Sequence, residues 1–248
     1  MRGVHRVEKT KFTEIMKQGM NELMLEVNEK IIDNYWIYMN FLLQENKKYN
    51  LTGIKKPEEA IRKHFLDSLA PLPYLNISRD NRIIDVGTGA GFPGLVLKIF
   101  KTDIKIVLLD STLKKINFLN LLVKKLNITK NLELIHDRAE KLGKDENYRE
   151  SFDYVFSRAV APINVLCEYT LPFISQQGSV VFYKGPEYKA EIKEAGNSLK
   201  ELGGEVQDII RLKVPGLKAQ RFLILIKKTI ITPCSYPRRV GIPKKRPL

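Results

Sequence analysis

The chain has 248 residues, 44% of them hydrophobic and 28% charged, which is enough for a full α/β core with a small additional lobe. Its apolar runs are far shorter than the ~20 residues of a membrane span, and Met1–His5 has no apolar signal core, so we expect a cytoplasmic protein without a membrane partner. The two cysteines, Cys167 and Cys234, lack the spacing of a metal site or a disulfide framework. We therefore expect no metal.

The first predicted elements are helical. Apolar residues recur at three- and four-residue steps from about Lys9 to Tyr49, which predicts one long helix. A second helical piece starts at Pro57 and stops before Pro71. We assign residues 1–75 to an N-terminal helical region.

Short β-rich runs alternate with helical stretches after this region. The runs are Arg82–Val86, Lys105–Asp110, Leu132–His136, Tyr154–Ser157, Ser179–Tyr183, Glu205–Leu212 and Phe222–Lys227, and the helical stretches are Gly94–Phe100, Leu113–Leu126, Pro162–Phe173 and Glu187–Leu202. This alternation predicts an α/β fold over residues 76–230: a seven-stranded, mostly parallel sheet with helices on both faces, its last two strands forming an antiparallel pair.

The charge is concentrated at the end of the chain. Lys and Arg number 42 against 28 acidic residues, and Arg211–Leu248 holds eleven basic residues and no Asp or Glu. We call residues 231–248 the C-terminal segment and interpret it as a basic tail that binds nucleic-acid phosphates. A solvated tail without a partner is the alternative. If the segment binds phosphates, removing residues from Tyr236 onward should weaken nucleic-acid binding and leave cofactor binding intact.

The loop after the first predicted strand is the most informative feature. It runs from Asp85 through Gly87, Gly89 and Gly91 into a helix at Gly94. Glycines let a backbone pass close to a ligand, and from Gly89 the loop also fits the dinucleotide fingerprint. The acid favours another interpretation, because Asp-x-Gly-x-Gly-x-Gly resembles the first motif of S-adenosylmethionine (SAM)-dependent methyltransferases. A tight turn without a ligand is the remaining alternative.

Further candidate residues follow the next strands. Asp110 closes the second β-rich run, 23 residues after Gly87, where an acid can accept both ribose hydroxyls, although it can instead cap the helix near Leu113. Glu140 follows the third strand, near the expected adenine position. Arg158 ends the fourth strand, where cofactor and substrate should meet.

Seven motifs stand in order along the chain, and together with the ending Tyr236–Leu248 they resemble the RsmG family of ribosomal RNA small-subunit methyltransferases, also called GidB. They are Asn50-Leu51-Thr52, His64-x-x-Asp67-Ser68-Leu69, Asp85–Gly94, Leu109-Asp110-Ser111, Arg138-Ala139-Glu140, Ser157–Ala161 and Tyr183-Lys184-Gly185.

The resemblance implies a Rossmann-like class I SAM-dependent methyltransferase. It implies methyl transfer from SAM to N7 of guanine-527 in the 530 loop of 16S rRNA. By position, the cofactor-binding residues of the family fall on Gly87, Phe92, Ala139, Glu140 and Arg158.

This chemistry needs no general base, since guanine N7 already offers an in-plane lone pair; we expect no catalytic acid or base. We expect Cys167 and Cys234 to have structural roles and not to act as nucleophiles. His64 and Asp67 share a helix face, either as a surface hydrogen bond or as part of the pocket lining. For RNA contact we select five basic residues: Lys184, Lys218, Arg221, Arg238 and Arg239.

Two other functions stay open at this point. An NAD-dependent oxidoreductase would also use a glycine loop, but Asp85 speaks against it. A non-catalytic rRNA-binding or ribosome-assembly factor would keep the basic stripe, but would not need an intact glycine loop with Asp110. We expect a monomer.

Overall fold

The computed structural model describes residues 8–248; Met1–His5, for which we expect no signal sequence, lie outside this range. The helices are α1 (Lys9–Glu22), α2 (Glu29–Tyr49), α3 (Pro57–Ala60), α4 (Asp67–Leu69), α5 (Gly94–Phe100), α6 (Leu113–Lys125), α7 (Ala139–Leu142), α8 (Ile163–Thr170), α9 (Tyr188–Glu194), α10 (Gly196–Leu202) and α11 (Ile242–Lys245). The strands are β1 (Arg82–Val86), β2 (Lys105–Asp110), β3 (Leu132–His136), β4 (Phe152–Arg158), β5 (Ile174–Lys184), β6 (Gly204–Leu212) and β7 (Arg221–Lys228).

The seven strands form one sheet in the order β3-β2-β1-β4-β5-β7-β6. Strands β1 to β5 pair in parallel, whereas β7 runs antiparallel to both β5 and β6. This confirms the predicted seven-stranded sheet with its antiparallel pair. The carboxyl ends of β1, β2 and β4 lie at one edge, because Val86 pairs with Leu109 and Asp85 pairs with Phe156.

Helices cover both faces of the sheet. One hydrophobic core joins α1 and α2 to β1 through residues such as Phe12, Tyr35 and Ile83, and a second core contains Ile84 and the buried side of α8. Ile83 and Ile84, which are adjacent in β1, thus pack into cores on opposite faces of the sheet, because successive side chains of a strand point to opposite faces. The domain boundaries at residues 75 and 230 stay a prediction, because the helical region and the sheet share the first core.

The predicted single helix over residues 9–49 is wrong. The chain leaves the helix after Glu22, with Met24 at φ +55°, and re-enters it at Glu29 behind Asn28, whose side chain accepts a hydrogen bond from the amide of Lys30. A polar N-cap and a left-handed residue outweigh the apolar periodicity here. The predicted helix over residues 187–202 is also divided, at Ala195.

The C-terminal segment is part of the folded structure. Arg149 donates hydrogen bonds to the carbonyls of Thr232 and Tyr236, and the carboxylate of Glu168, 1% exposed, binds both the backbone and the guanidinium of Arg238. The interpretation as a tail is therefore incorrect for this segment. Among residues 8–248, no helix is long and apolar enough to cross a membrane.

Candidate functional site

The conformation of the glycine loop after β1 is fixed by its backbone angles and by hydrogen bonds to β2. Gly87, Gly89 and Gly91 have φ values of +76°, +62° and +101°, which favour residues without a Cβ. The amides of Gly87 and Thr88 donate to the carbonyl of Leu109 at 2.8 and 3.0 Å, which ties the loop to β2. A Cβ on Gly89 would meet nothing closer than 3.9 Å, so this part of the loop faces open space.

Asp85 lies beneath this loop and is fully buried. Its Oδ2 accepts a hydrogen bond from the Gly94 amide at 2.8 Å. Its Oδ1 and the hydroxyl of Thr88 are buried and make no aligned hydrogen bond among residues 8–248, although the Thr88 side chain lies close enough to the carboxylate to lower its pKa. Burial raises the pKa of Asp85 to about 6. Asp85 and Thr88 thus lie together beneath the open glycine loop, where their remaining lone pairs can fix the loop or accept from a ligand group that enters it.

Asp110 lies between the glycine loop and the start of α6, and its predicted contact with ribose hydroxyls stays a prediction. Its Oδ1 accepts from the amide of Thr112, the N-cap of α6, and its Oδ2 accepts from the Gly89 amide at 2.9 Å. Lys115 Nζ lies 3.4 Å from Oδ2. The carboxylate therefore joins the glycine loop to the end of β2. Oδ2 accepts from both Gly89 and Lys115, whereas Oδ1 keeps a lone pair that a ribose hydroxyl can use.

Ala139 and Glu140 open the short helix α7 at the same edge. Glu140 is buried, and its Oε1 accepts a hydrogen bond from the Gly241 amide at 2.9 Å. The C-terminal segment thus lies directly against a predicted cofactor residue. Sequence reasoning missed this contact, because Glu140 and Gly241 are far apart in the chain.

Arg158 is at the centre of a compact group of side chains. Its Nη1 donates to Asp67 Oδ2 at 2.9 Å and to the Lys63 carbonyl at 3.1 Å, and its guanidinium lies 5.4 Å from the ring centroid of Phe92. His64 stacks on the same Phe92 ring, with centroids 4.3 Å apart. The structure therefore brings together two residues implied by the resemblance and the His64/Asp67 pair.

His64 is neutral in this arrangement. Arg158 can only donate, so the 3.5 Å contact from its Nη2 makes His64 Nδ1 an acceptor, and His64 Nε2 donates to Thr52 Oγ1 at 2.8 Å. Burial, followed by the charge of Arg158, lowers the pKa of His64 to about 3. A π-helical turn over Ile61–Leu66 places His64 here, and such turns occur frequently at functional sites.

The basic residues selected for RNA contact have different environments. Lys184 Nζ donates to Glu191 Oε2 at 2.6 Å and to the Ala161 carbonyl, and Arg221 Nε lies 3.3 Å from Asp67 Oδ1. Lys184, Arg221 and Arg158 line one cavity of about 410 Å³ at the carboxyl ends of β4 and β5.

The other three selected residues lie elsewhere. Lys218 and Arg239 are exposed at the surface. Arg238 is committed to Glu168 and is not free for a phosphate. Burial raises the pKa of the Cys167 thiol to about 12, so this cysteine is not a nucleophile.

Comparison with known proteins identifies the family. The family model described as rRNA small subunit methyltransferase G matches residues 31–222. A ribosomal RNA small subunit methyltransferase G from Desulforamulus reducens is 44% identical over 94% of this chain and 97% of the relative. Its counterpart from Thermoanaerobacter pseudethanolicus is 42% identical over 97% of this chain and 100% of the relative.

The fold also matches solved structures. A Pyrococcus horikoshii protein, PH0793, is 10% identical with a TM-score of 0.51, over 66% of this chain and 64% of that one. The sheet order and glycine loop are those of the Rossmann-like class I SAM-dependent methyltransferases. The chain therefore belongs to the rRNA small subunit methyltransferase G family and is a SAM-dependent methyltransferase.

Proposed function

We propose that the protein transfers the methyl group of SAM to N7 of guanine-527 in the 530 loop of 16S rRNA. Membership of the family supports an rRNA substrate. The observation that carries the proposal is the open glycine loop after β1, whose three glycines have positive φ, with the carboxylates of Asp85 beneath it and Asp110 beside it.

Different side chains at the strand ends would contact different parts of the cofactor. Asp85 Oδ1 and Thr88 Oγ1 offer acceptors under the loop, and Asp110 offers lone pairs at the end of β2. Arg158 adds positive charge beside Phe92. Because most of these groups are buried and fixed by hydrogen bonds, they can orient a ligand at little cost in conformational entropy.

The reaction requires alignment more than proton transfer. When bound, SAM supplies an electrophilic methyl group on a sulfonium sulfur. Guanine N7 attacks with its in-plane lone pair, so no protein group has to remove a proton. The neutral state of His64 is consistent with this, because an uncharged ring does not repel the positive charge that develops on the purine. The contribution of the chain is to position both reactants and exclude water.

The test is to incubate the protein and tritiated SAM with small subunits that lack the modification. We expect label on one guanine, at which the strand cleaves after borohydride and aniline treatment specific for N7-methylguanine. RNA binding without label would favour a non-catalytic assembly factor. Label at another atom or nucleotide would contradict the N7 assignment.

A matched variant links the label to the site. Asp110→Ala should reduce labelling, because it removes acceptors at the cofactor edge, whereas Lys218→Ala should leave SAM affinity unchanged since Lys218 is exposed. We further propose that the enzyme acts in the cytoplasm as a monomer. Sedimentation at micromolar concentration tests the monomer.

A further inference from the structure

The cavity at the carboxyl ends of β4 and β5 contains a buried carboxylate, one oxygen of which accepts no aligned hydrogen bond. Asp67 is 4% exposed in its side chain, and its Oδ2 is occupied by Arg158 at 2.9 Å. Its Oδ1 lies 3.3 Å from Arg221 Nε, but the geometry makes no hydrogen bond, and Oδ1 has no other partner among residues 8–248. Asp67 is therefore held by ion pairs to both Arg158 and Arg221, but the Arg221 Nε–H is not aligned on Oδ1, which leaves lone pairs of this oxygen for N–H groups of a ligand.

An aromatic column leads to the same cavity. Tyr38 stacks on Phe92 with centroids 5.1 Å apart and planes 7° apart, and Phe92 stacks on His64 at 4.3 Å and 9°. His64 is the member of this column that lines the cavity. A flat ring that enters the cavity can therefore continue the stack, and base stacking on aromatic side chains contributes ~1–3 kcal/mol per base.

These features define the chemistry of the occupant. Asp67 Oδ1 accepts hydrogen bonds from donors such as N–H groups. The cations Arg158, Arg221 and Lys184 share the cavity but are already paired with Asp67 or Glu191, which argues against a phosphate at this point. The volume of about 410 Å³ falls within the usual range of small-ligand pockets. A planar ligand with two adjacent N–H donors fits both the carboxylate and the aromatic column.

We propose that this cavity takes the acceptor guanine and that Asp67 Oδ1 accepts hydrogen bonds from guanine N1–H and the exocyclic amino group. The inference rests on the proposed function. Arg221, on the other side of the carboxylate, can donate to guanine O6. Adenine presents an acceptor at N1, which the carboxylate would repel. The guanine N7 lies on the opposite edge of the base, so this recognition leaves the reacting lone pair free.

The test compares two acceptors that differ by one amino group. Small-subunit rRNA carrying inosine in place of the acceptor guanine is prepared by ligation, and kcat/KM for methyl transfer is measured on both RNAs. For the wild-type protein we expect the inosine RNA to react about 10- to 100-fold more slowly, the scale of one hydrogen bond to a charged group. In Asp67→Asn and Asp67→Ala this ratio should fall below about threefold.

Glu191→Gln is the matched control. Glu191 lines the same cavity but is paired with Lys184, so its variant should keep the wild-type preference for guanine. Equal rates on guanine and inosine with the wild-type protein would overturn the inference even if no variant folds. It would equally be overturned if the Asp67 variants lose SAM affinity and lose rate by the same factor on both RNAs, because Asp67 would then act on the cofactor through Arg158.

The two failures are distinguishable. If the wild-type protein does not label the guanine RNA at all, the proposed function fails. If it labels guanine and inosine alike, the proposed function stands and only the role of Asp67 fails.

Discussion

The glycine loop and the C-terminal segment both stand out in the sequence, but their polar groups are satisfied in opposite ways. In the loop region, Asp85 Oδ1 and Thr88 Oγ1 make no aligned hydrogen bond among residues 8–248, and Gly89 faces open space. In the C-terminal segment, Arg238 is paired with Glu168 and the amide of Gly241 donates to Glu140. The loop region therefore offers polar groups to a ligand, whereas the polar groups named in the C-terminal segment are bound by other residues of the chain.

The difference between these regions shows that the charge of a segment, counted along the sequence, does not reveal its partners in the folded structure. The stretch from Arg211 to Leu248 contains no acid, yet Glu168 and Glu140 reach it from elsewhere in the fold. The number of basic residues in a segment therefore predicts phosphate binding only where those side chains are exposed to solvent and have no acidic partner in the fold. Removing the segment from Tyr236 onward should consequently weaken SAM binding, contrary to the expectation from sequence, because Glu140 loses the Gly241 amide.

The largest expected effect separates two neighbouring arginines. Arg238→Ala should lower the free energy of unfolding by about 3–5 kcal/mol, because it leaves the buried carboxylate of Glu168 unpaired. Arg239→Ala removes the same charge from an exposed position and should change it by less than about 0.5 kcal/mol. Urea unfolding of both variants measures the difference. Equal effects would mean that the segment does not depend on the Glu168 pair.

The next largest effect concerns Asp110, at the carboxyl end of β2. Asp110→Ala should weaken SAM binding by about 1.5–3 kcal/mol, the scale of charge-assisted hydrogen bonds, because it removes the acceptors for Gly89 and for the ligand. Asp110→Asn should not rescue binding fully, since its amide group would face the Gly89 or Thr112 amide. Calorimetric titration with SAM measures both variants. Unchanged affinity would reduce Asp110 to a helix cap.

Asp85 should show a trade-off between stability and binding. Its folded pKa of about 6 lies above the ordinary value of 3.8, so its burial destabilises the folded protein above pH 6 and this cost disappears as the pH falls toward 4. Asp85→Asn should therefore raise the free energy of unfolding by about 1–3 kcal/mol at pH 7 and by much less at pH 4. It should also weaken SAM binding. A stability difference that does not vary with pH would contradict this.

The smallest effect tests the exposed part of the basic segment. Arg239, Lys244 and Lys245 are exposed and make no ion pair within residues 8–248. Replacing all three with Ala should lower the slope of log K for RNA against log salt by at most ~2, or ~0.7 for each phosphate that is no longer neutralised. SAM affinity should be unchanged. An unaltered slope in filter-binding assays would remove these residues from the RNA interface.

Local patterns are sufficient to predict the sheet and the cofactor loop. The strands Arg82–Val86 and Lys105–Asp110 have the bounds that the sequence predicts, because apolar runs ending in an acid or glycine are short-range signals. The break between α1 and α2 escapes such patterns, since its left-handed residue is Met24 and its N-cap Asn28 lies within a periodic apolar pattern.

The candidate site divides in the same way. The glycine loop and Asp110 follow from spacing along adjacent strands, so the sequence places them together. The pairing of Asp67 with Arg158 and Arg221 joins a helix to β4 and β7, and only the folded chain shows it. Whether the residues expected to bind cofactor and RNA do so stays a prediction.

Calorimetric titration of SAM into the wild-type protein and Gly89→Ala tests the central claim most directly. A Cβ on Gly89 meets no atom of the described chain closer than 3.9 Å, so it projects into open space where a bound cofactor would lie against the loop. We predict one SAM per wild-type chain and at least about tenfold weaker binding in the variant, with a loss of stability limited to the ~1–2 kcal/mol of a left-handed alanine. Equal SAM affinity in a folded Gly89→Ala protein would contradict the assignment of this edge as the cofactor site.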